Sequence, residues 1–403
     1  MKTPLLLIAA CLLGLLSTIG AALPYPILPP LFAADAPNDF NHYLGLPPKL
    51  LFSIALAVNP LGMLLGSAVL GPISDRYGRR PVLLMTALAC AAGHAVTALA
   101  LVWQSYPLFI IARFATGIVE GNAPVARAML ADRIDGPLRV KAFAWFNSAL
   151  YMGWLVGPML AGLTVGFGVT VPFWIAVVAL LVTAAMVWVA LPAEPPTQAA
   201  LAWWQVARDK HALNLLAHAD IRVLFALQLG VTLCITAFYE FYPLWLVEFA
   251  GMDARGIALT TGVMCLLMAS SSGLVTRLPP GEPLRRATLL VVMAAVLIAS
   301  LGLGLREAGV VAIVVAGLPI ALYNAIMPAY VADRFGHHGQ GAVMGLLATI
   351  FCLANIAVAL LGAVLTLLDT RLILLCGSAA GLWAASRIWR WHGDSALKTE
   401  SAA

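Results

Sequence analysis

The chain has 403 residues, of which 62% are hydrophobic and 10% charged, and it carries a formal net charge of +5. A soluble domain holds about 45–50% apolar and about 25% charged residues, so a single water-soluble core is excluded. Apolar runs recur along the whole chain, each near the roughly 20 residues needed to cross a hydrocarbon layer of about 30 Å. The composition is that of an all-α polytopic membrane protein. Its basic residues sit in short loops between apolar runs, which argues for no nucleic-acid partner and for the lipid bilayer as surroundings. The six cysteines lie in or beside apolar runs without a C-x-x-C pair and read as small buried hydrophobes, with no disulfide framework and no metal site.

Apolar runs bounded by loop signals predict twelve spans. In the first half they cover 5–32, 50–71, 82–103, 106–131, 142–166 and 170–191; in the second, 221–249, 256–276, 286–305, 309–332, 341–366 and 370–391. The opening MKTPLLLIAAC resembles a lipoprotein leader, but the apolar stretch before Cys11 is short and hydrophobicity continues to Phe32. A first spanning helix is therefore expected. The expected organisation is a six-helix bundle over 1–192, a cytoplasmic linker over 193–220, a second six-helix bundle over 221–392 and a tail over 393–403. The linker's WWQVARDKHALNLL reads as a short helix at the membrane surface.

Of the 23 Lys and Arg residues, 17 fall on the side of the termini, four on the other side and two within span 4. The positive-inside rule then places both termini in the cytoplasm. The two halves echo each other: AMLADR ends span 4 and AYVADR ends span 10, putting Asp132 opposite Asp333. Such a repeat implies a duplicated fold with its binding site between the halves.

Span 4 contains RFATGIVEGNAPVAR, with Arg113, Glu120 and Arg127 seven residues apart. A continuous helix would place all three on one face. Charge at the bilayer centre costs about 2.5–3.5 kcal/mol on insertion scales, so these residues are functional candidates. Glu120 is the candidate proton-exchanging acid. The alternative is a Glu120 ion-paired with Arg113 or Arg127 to fix packing, and Arg127 can also snorkel toward the cytoplasm. Span 7 holds AFYEFYPLWLVEF, with Glu240 beside Tyr239, Tyr242 and Trp245; an interfacial aromatic belt is the alternative there. Span 10 adds Tyr323 and Asn324, and span 2 adds Asn59 and Pro60. His94 in span 3 and Gln228 read as helix-packing hydrogen bonders.

Between spans 2 and 3 stands GPISDRYGRRPVLL. Gly71, Asp75, Arg76, Gly78, Arg79 and Arg80 together resemble the signature G-x-x-x-D-R-x-G-R-R of the major facilitator superfamily. The resemblance implies the major facilitator fold, twelve transmembrane helices in two pseudo-symmetric six-helix bundles. It also implies that Asp75, Arg76 and Asp132 form a cytoplasmic charge cluster that latches one conformation. The equivalent loop of the second half keeps only Gly273, Arg285 and Arg286. Arg113 with Gly117 matches the family's span-4 R-x-x-x-G. Gly153, Gly157, Pro158 and Gly162 in span 5 resemble the G-x-x-x-G-P motif of the family's antiporters. TIGAALPYPILPPLF, LADRIDG and LPAE resemble the tetracycline-efflux branch of the drug:proton antiporters, which place an aspartate in span 1 where Ser17 stands here.

No phosphate loop, metal-ligand cluster or nucleophile elbow is found, so neither an enzyme nor a cofactor is expected. The expected function is a secondary transporter, working as a monomer in a bacterial inner membrane, that exchanges protons for a small amphipathic organic molecule. The alternatives are an uptake symporter, a transport-dead sensor and a membrane-embedded enzyme.

Overall fold

The protein is described from a computed structural model covering residues 3–32, 38–134, 136–191, 212–275, 282–335 and 340–400. It divides into two compact units, Met1–His211 and Ala212–Ala403. Among the described residues it is built of helices and short helical turns alone. Most of the 193–220 linker, including the Trp-Trp segment, lies outside the described residues; its end forms one short 3-10 turn, Ala212–Ala217.

The first unit contains α1 (Thr3–Ala22), α2 (Pro24–Phe32), α3 (Pro48–Tyr77), α4 (Arg79–Val102), α5 (Tyr106–Glu120), α6 (Ala123–Arg133), α7 (Gly136–Thr164) and α8 (Val171–Ala190). The second contains α9 (Ala219–Ala250), α10 (Ala254–Val275), α11 (Pro283–Ser300), α12 (Arg306–Phe335), α13 (Gln340–Leu368) and α14 (Thr370–Glu400). Eleven helical segments among the described residues are long and apolar enough to cross a membrane. The twelfth position belongs to α10, a 22-residue helix with a shorter apolar stretch, Arg255–Met268. Long, exposed Leu, Val and Trp side chains such as Val178, Trp188 and Leu360 face outward, where hydrocarbon rather than water is their solvent.

Two predicted spans are each two helices. Span 1 breaks at Leu23, between α1 and α2, and the second piece begins with Pro24. Span 4 breaks at Gly121–Asn122, between α5 and α6. Pro124 causes the second break, because it lacks an N–H and its ring collides with the carbonyl four residues earlier, that of Glu120. The expected continuous helix, with Arg113, Glu120 and Arg127 on one face, is therefore incorrect: Arg127 belongs to α6. Span 2 also runs further than expected. α3 continues to Tyr77, so most of the basic loop is helical and the turn to α4 is Gly78 alone, at φ 94°. A side chain there would be strained, which is why glycine occupies it.

Within the first unit α1 packs on α7, α3 on α5, and α4 on both α5 and α8. The contact of α3 with α5 is close enough for glycine only. A Cβ on Gly66 would overlap the Ile118 carbonyl, and one on Gly117 would overlap the Asn59 carbonyl. Small residues let helix backbones approach where no hydrophobic drive exists between helices and lipid. In the second unit α9 packs on α13 and α14, and α12 packs on α10 and α11. Buried aromatic residues pin α9: Trp245 donates from Nε1 to the Leu301 carbonyl at 3.0 Å, and its ring lies against Gly309.

Gly66→Val is expected to destabilise the protein by at least about 1–3 kcal/mol, the usual cost of overpacking. Gly262→Ala, whose Cβ meets nothing within 4 Å, is expected to be neutral or slightly stabilising. Thermal unfolding of both variants in detergent, followed by size-exclusion chromatography, checks the contrast.

Candidate functional site

The chemistry of the first unit begins with a gap in its backbone. Helix α1 ends at Ala22, and Pro24 offers no N–H to the carbonyl of Gly20 four residues before it. In hydrocarbon an unmet carbonyl has no water to turn to. Arg113 of α5 supplies the missing donors. Its two terminal nitrogens donate to the carbonyls of Gly20 at 3.1 Å and Ala21 at 3.0 Å. The guanidinium thus caps the carbonyl end of α1, the negative pole of the helix dipole, from a side chain only 2% exposed.

A buried cation requires an anion. Glu120, two turns further along α5 and also 2% exposed, provides it. Asn59 of α3 donates from Nδ2 to Glu120 Oε2 at 2.8 Å and to the Arg113 carbonyl at 3.2 Å, tying the two ends of this stretch together. His94 of α4, wholly buried, brings Nε2 to 3.2 Å from Glu120 Oε1, an ion-pair distance. Gly20 lies against both groups: a Cβ there would overlap His94 Nε2 and crowd Glu120 Oε1. One turn earlier, Ser17 donates to Asn122 Oδ1 at 3.4 Å, and Asn122 donates to Thr86 Oγ1 at 3.3 Å. The polar groups of spans 1 to 4 meet in one buried cluster whose two formal charges, Arg113 and Glu120, balance.

The two alternatives offered as partners of Glu120 are therefore incomplete. Its direct contacts are His94 and Asn59, and Arg113 is spent on backbone carbonyls. Arg127 is half-buried on α6, with its guanidinium 5.8 Å from the Phe146 ring centre. His94, read from the sequence as a packing residue, is a member of the cluster; its signal was to be the one histidine in the apolar run of span 3.

The span-5 glycines face span 1. A Cβ on Gly153 would overlap the Thr18 hydroxyl, and one on Gly157 would press on Ala22 Cβ at 2.9 Å and the Ile19 carbonyl at 3.0 Å. Pro158 stands inside α7, and Gly162 is buried one turn on. The motif therefore seats α7 against the segment where α1 breaks.

At the basic end of α3 and α4, Arg79 donates from Nε to Asp132 Oδ2 at 3.1 Å and from a terminal nitrogen to the Ser74 hydroxyl. Arg80 donates to the Trp188 carbonyl at 2.9 Å and stacks 4.3 Å over its ring. Arg76 is exposed, 5.4 Å over Tyr77. Gly71 lies within α3 with open space at its Cβ position. The side chain of Asp75 lies outside the described residues. Asp333, at the matching position of the second unit, is exposed.

In the second unit Glu240 is 1% exposed, and neither of its carboxyl oxygens has a hydrogen-bond partner among the described residues. Its neighbours along α9 are engaged elsewhere: Tyr242 shares a 2.7 Å hydrogen bond with Thr261, and Tyr239 donates to Met268 Sδ at 3.6 Å. These aromatic residues face the unit's interior instead of forming a belt. Tyr323 donates to Gln228 Oε1 at 2.7 Å, and Asn324 is half-buried beside it. Glu248 is exposed.

Two units of helices long and apolar enough to span a membrane, with ionisable residues held in the apolar interior, define a polytopic membrane protein. The family model of the Major Facilitator Superfamily matches residues 10–359, and the chain belongs to that superfamily. The superfamily is one of transporters and not of enzymes. Tetracycline resistance protein, class B, of Escherichia coli is 30% identical over 176 residues, 43% of this chain and 41% of the relative. The class C protein of Escherichia coli is 32% identical over 166 residues, 40% of this chain and 39% of the relative. Multidrug resistance protein MdtL of Shewanella sp. (strain ANA-3) is 31% identical over 150 residues, 37% of each chain. The chain thus spans about two-fifths of the length of the curated relatives it matches. Among solved structures, a D-xylose-proton symporter superposes with a TM-score of 0.75 at 16% identity, over 96% of this chain and 98% of the other. The human organic anion transporter MFSD10 superposes at 0.62 with 20% identity, over 96% and 99%. These two likenesses concern the fold alone.

Arg113→Lys keeps the charge but cannot serve two carbonyls with a planar fork. It is expected to cost about 1.5–3 kcal/mol, the worth of a hydrogen bond to a charged group. A lower unfolding temperature for Arg113→Lys than for the exposed-site control Arg76→Lys checks this.

Proposed function

We propose that the protein is a proton-coupled antiporter that exports a small amphipathic organic compound. The observation that carries this reading is Glu120, an acid held at 2% exposure inside the membrane-spanning unit against His94 and Asn59. An ionisable group kept there at such cost is a functional group by default. The relatives named for tetracycline and multidrug resistance support export, as does the G-x-x-x-G-P motif seated on the break in span 1.

In this reading the acid that the efflux branch keeps in span 1 has moved. Ser17 occupies that span, and Glu120 reaches from span 4 to lie against span 1 at Gly20. A proton taken up by this site removes the charge that offsets Arg113, so loading the site shifts the balance between two arrangements of the helices. Substrate and proton then alternate as the protein opens in turn to one side of the membrane and then the other. Glu240, buried without a hydrogen-bond partner among the described residues, is the group of the second half for a cationic centre on the compound, with Tyr239, Tyr323 and Asn324 as further substrate-contacting residues. The charges at the basic end, Asp75, Arg76, Arg79, Arg80 and Asp132, latch one of the two states. The Lys and Arg asymmetry supports a bacterial inner membrane location with both termini cytoplasmic.

Everted membrane vesicles carrying the protein test the reading. With the lumen acidified by respiration and followed by a pH-sensitive dye, tetracycline or ethidium is added as probe. Antiport predicts proton release from the lumen, and Glu120→Gln predicts a response smaller by about tenfold or more, the range of typical coupling energies. Proton release that survives intact in Glu120→Gln would sink the assignment of Glu120, and proton movement of the opposite sign would reassign the protein to uptake.

A further inference from the structure

His94 is built into the cluster in a way that packing alone does not require. The ring is wholly buried, with Phe173 of α8 beside it at 6.3 Å between ring centres. Nε2 lies 3.2 Å from Glu120 Oε1, an ion-pair distance, and among the described residues neither ring nitrogen nor Oε1 is in hydrogen-bond geometry with a partner, so proximity alone sets Nε2 toward the acid. A neutral imidazole carries one N–H and one bare lone pair. An ionised carboxylate only accepts, so the N–H belongs on Nε2, facing Glu120, and the lone pair belongs on Nδ1. The side of the imidazole that can take a proton thus points away from the acid, and the side that can give one points at it.

We propose that His94 and Glu120 form a single proton-exchange unit, in which a proton enters at His94 Nδ1 and leaves Nε2 for Glu120 Oε1. The step balances: the Nδ1 lone pair forms a new N–H bond, the Nε2–H bond breaks, and its proton forms an O–H bond at Oε1. The imidazole ends neutral in its other tautomer, and the pair has gained one proton. Release reverses the same bonds. The inference rests on Glu120 being the coupling acid and adds to it the group through which the proton travels.

The surroundings decide what that proton does. Arg113 on α5 is the fixed charge of the cluster, and the Cys90 thiol of α4 lies within electrostatic range of both Arg113 and Glu120. Tyr25 of α2 lies within range of Arg113. From the remaining elements come uncharged groups: Asn59 of α3, Gly20 and Ser17 of α1, and Phe173 of α8. Before uptake Glu120 offsets Arg113. After uptake the cluster holds one uncompensated positive charge, whichever of the two groups keeps the proton. Excess charge in a low-dielectric interior is costly, and that cost favours a rearrangement of α1 against α5.

Nitrogen-15 magnetic resonance of the full-length, histidine-labelled protein in lipid bilayers tests the pair without a substrate. His94→Gln identifies the His94 signal, and Glu120→Gln identifies the Glu120 band in the infrared spectrum. The expected result is an Nε2–H tautomer at high pH. On acidification, the His94 signal and the Glu120 acid band are expected to change together. In Glu120→Gln the His94 change is expected to vanish. An Nδ1–H tautomer at high pH, or a His94 signal that behaves alike in wild type and Glu120→Gln, overturns the proposal. In the vesicle assay with tetracycline or ethidium, His94→Gln is expected to lower proton release by about tenfold, and release unchanged in His94→Gln but lost in Glu120→Gln also overturns it. If Glu120→Gln keeps full transport while the two wild-type signals still change together, the coupling reading of Glu120 fails and the proton-exchange pair stands. If Glu120→Gln abolishes transport while His94 is unresponsive, the pair fails alone.

Discussion

Hydrocarbon offers a peptide carbonyl no hydrogen-bond donor, and the first span of this protein contains a proline that removes one. The carbonyls of Gly20 and Ala21 are met instead by Arg113, reaching across from α5. That replacement governs the rest of the first unit. It fixes α5 against the end of α1, it brings a permanent charge into the interior, and it demands an anion nearby. A hydrogen bond to a charged group contributes about 1.5–3 kcal/mol. Loss of one partner from a buried charged pair costs about 3–5 kcal/mol, so the carbonyl cap, Arg113 and Glu120 are held as a set.

Each further polar residue follows from that set. Glu120 balances Arg113; Asn59 donates to one carboxyl oxygen and His94 stands 3.2 Å from the other; Gly20 leaves the room in which they meet. The glycines of α3 and α5 permit the backbone approach that brings Asn59 within reach, and those of α7 close the other side of α1. The second unit is organised differently. Its buried acid, Glu240, has no such company, and the tyrosines around it bond to their own neighbours. The two units therefore share a helical plan but not an electrostatic one: the acid of the first is compensated within its unit, whereas that of the second is left without a hydrogen-bond partner among the described residues.

Much of this was legible in the chain. Apolar run lengths gave the spanning helices to within a few residues for most of them, because hydrophobic thickness is a one-dimensional constraint. Charges in apolar runs singled out Arg113, Glu120 and Glu240, and all three are buried. The errors came from prolines. Pro24 and Pro124 divide spans that hydropathy reads as continuous, and with the second break the three-charge stripe of span 4 dissolves. His94 was undervalued because a lone histidine in an apolar helix carries no sign of what faces it. Nor does Asn59 announce that its amide reaches a carboxylate 61 positions later.

The sequence by itself determined the class of protein, the number of crossings and the identity of the costly residues, since each depends on composition along a line. Pairing was decided only in three dimensions. Whether Glu120 meets Arg127 or His94 depends on a helix break, on a glycine opposite, and on the angle at which α4 passes α5. Those are properties of packed helices, and they convert a row of isolated charges into a site.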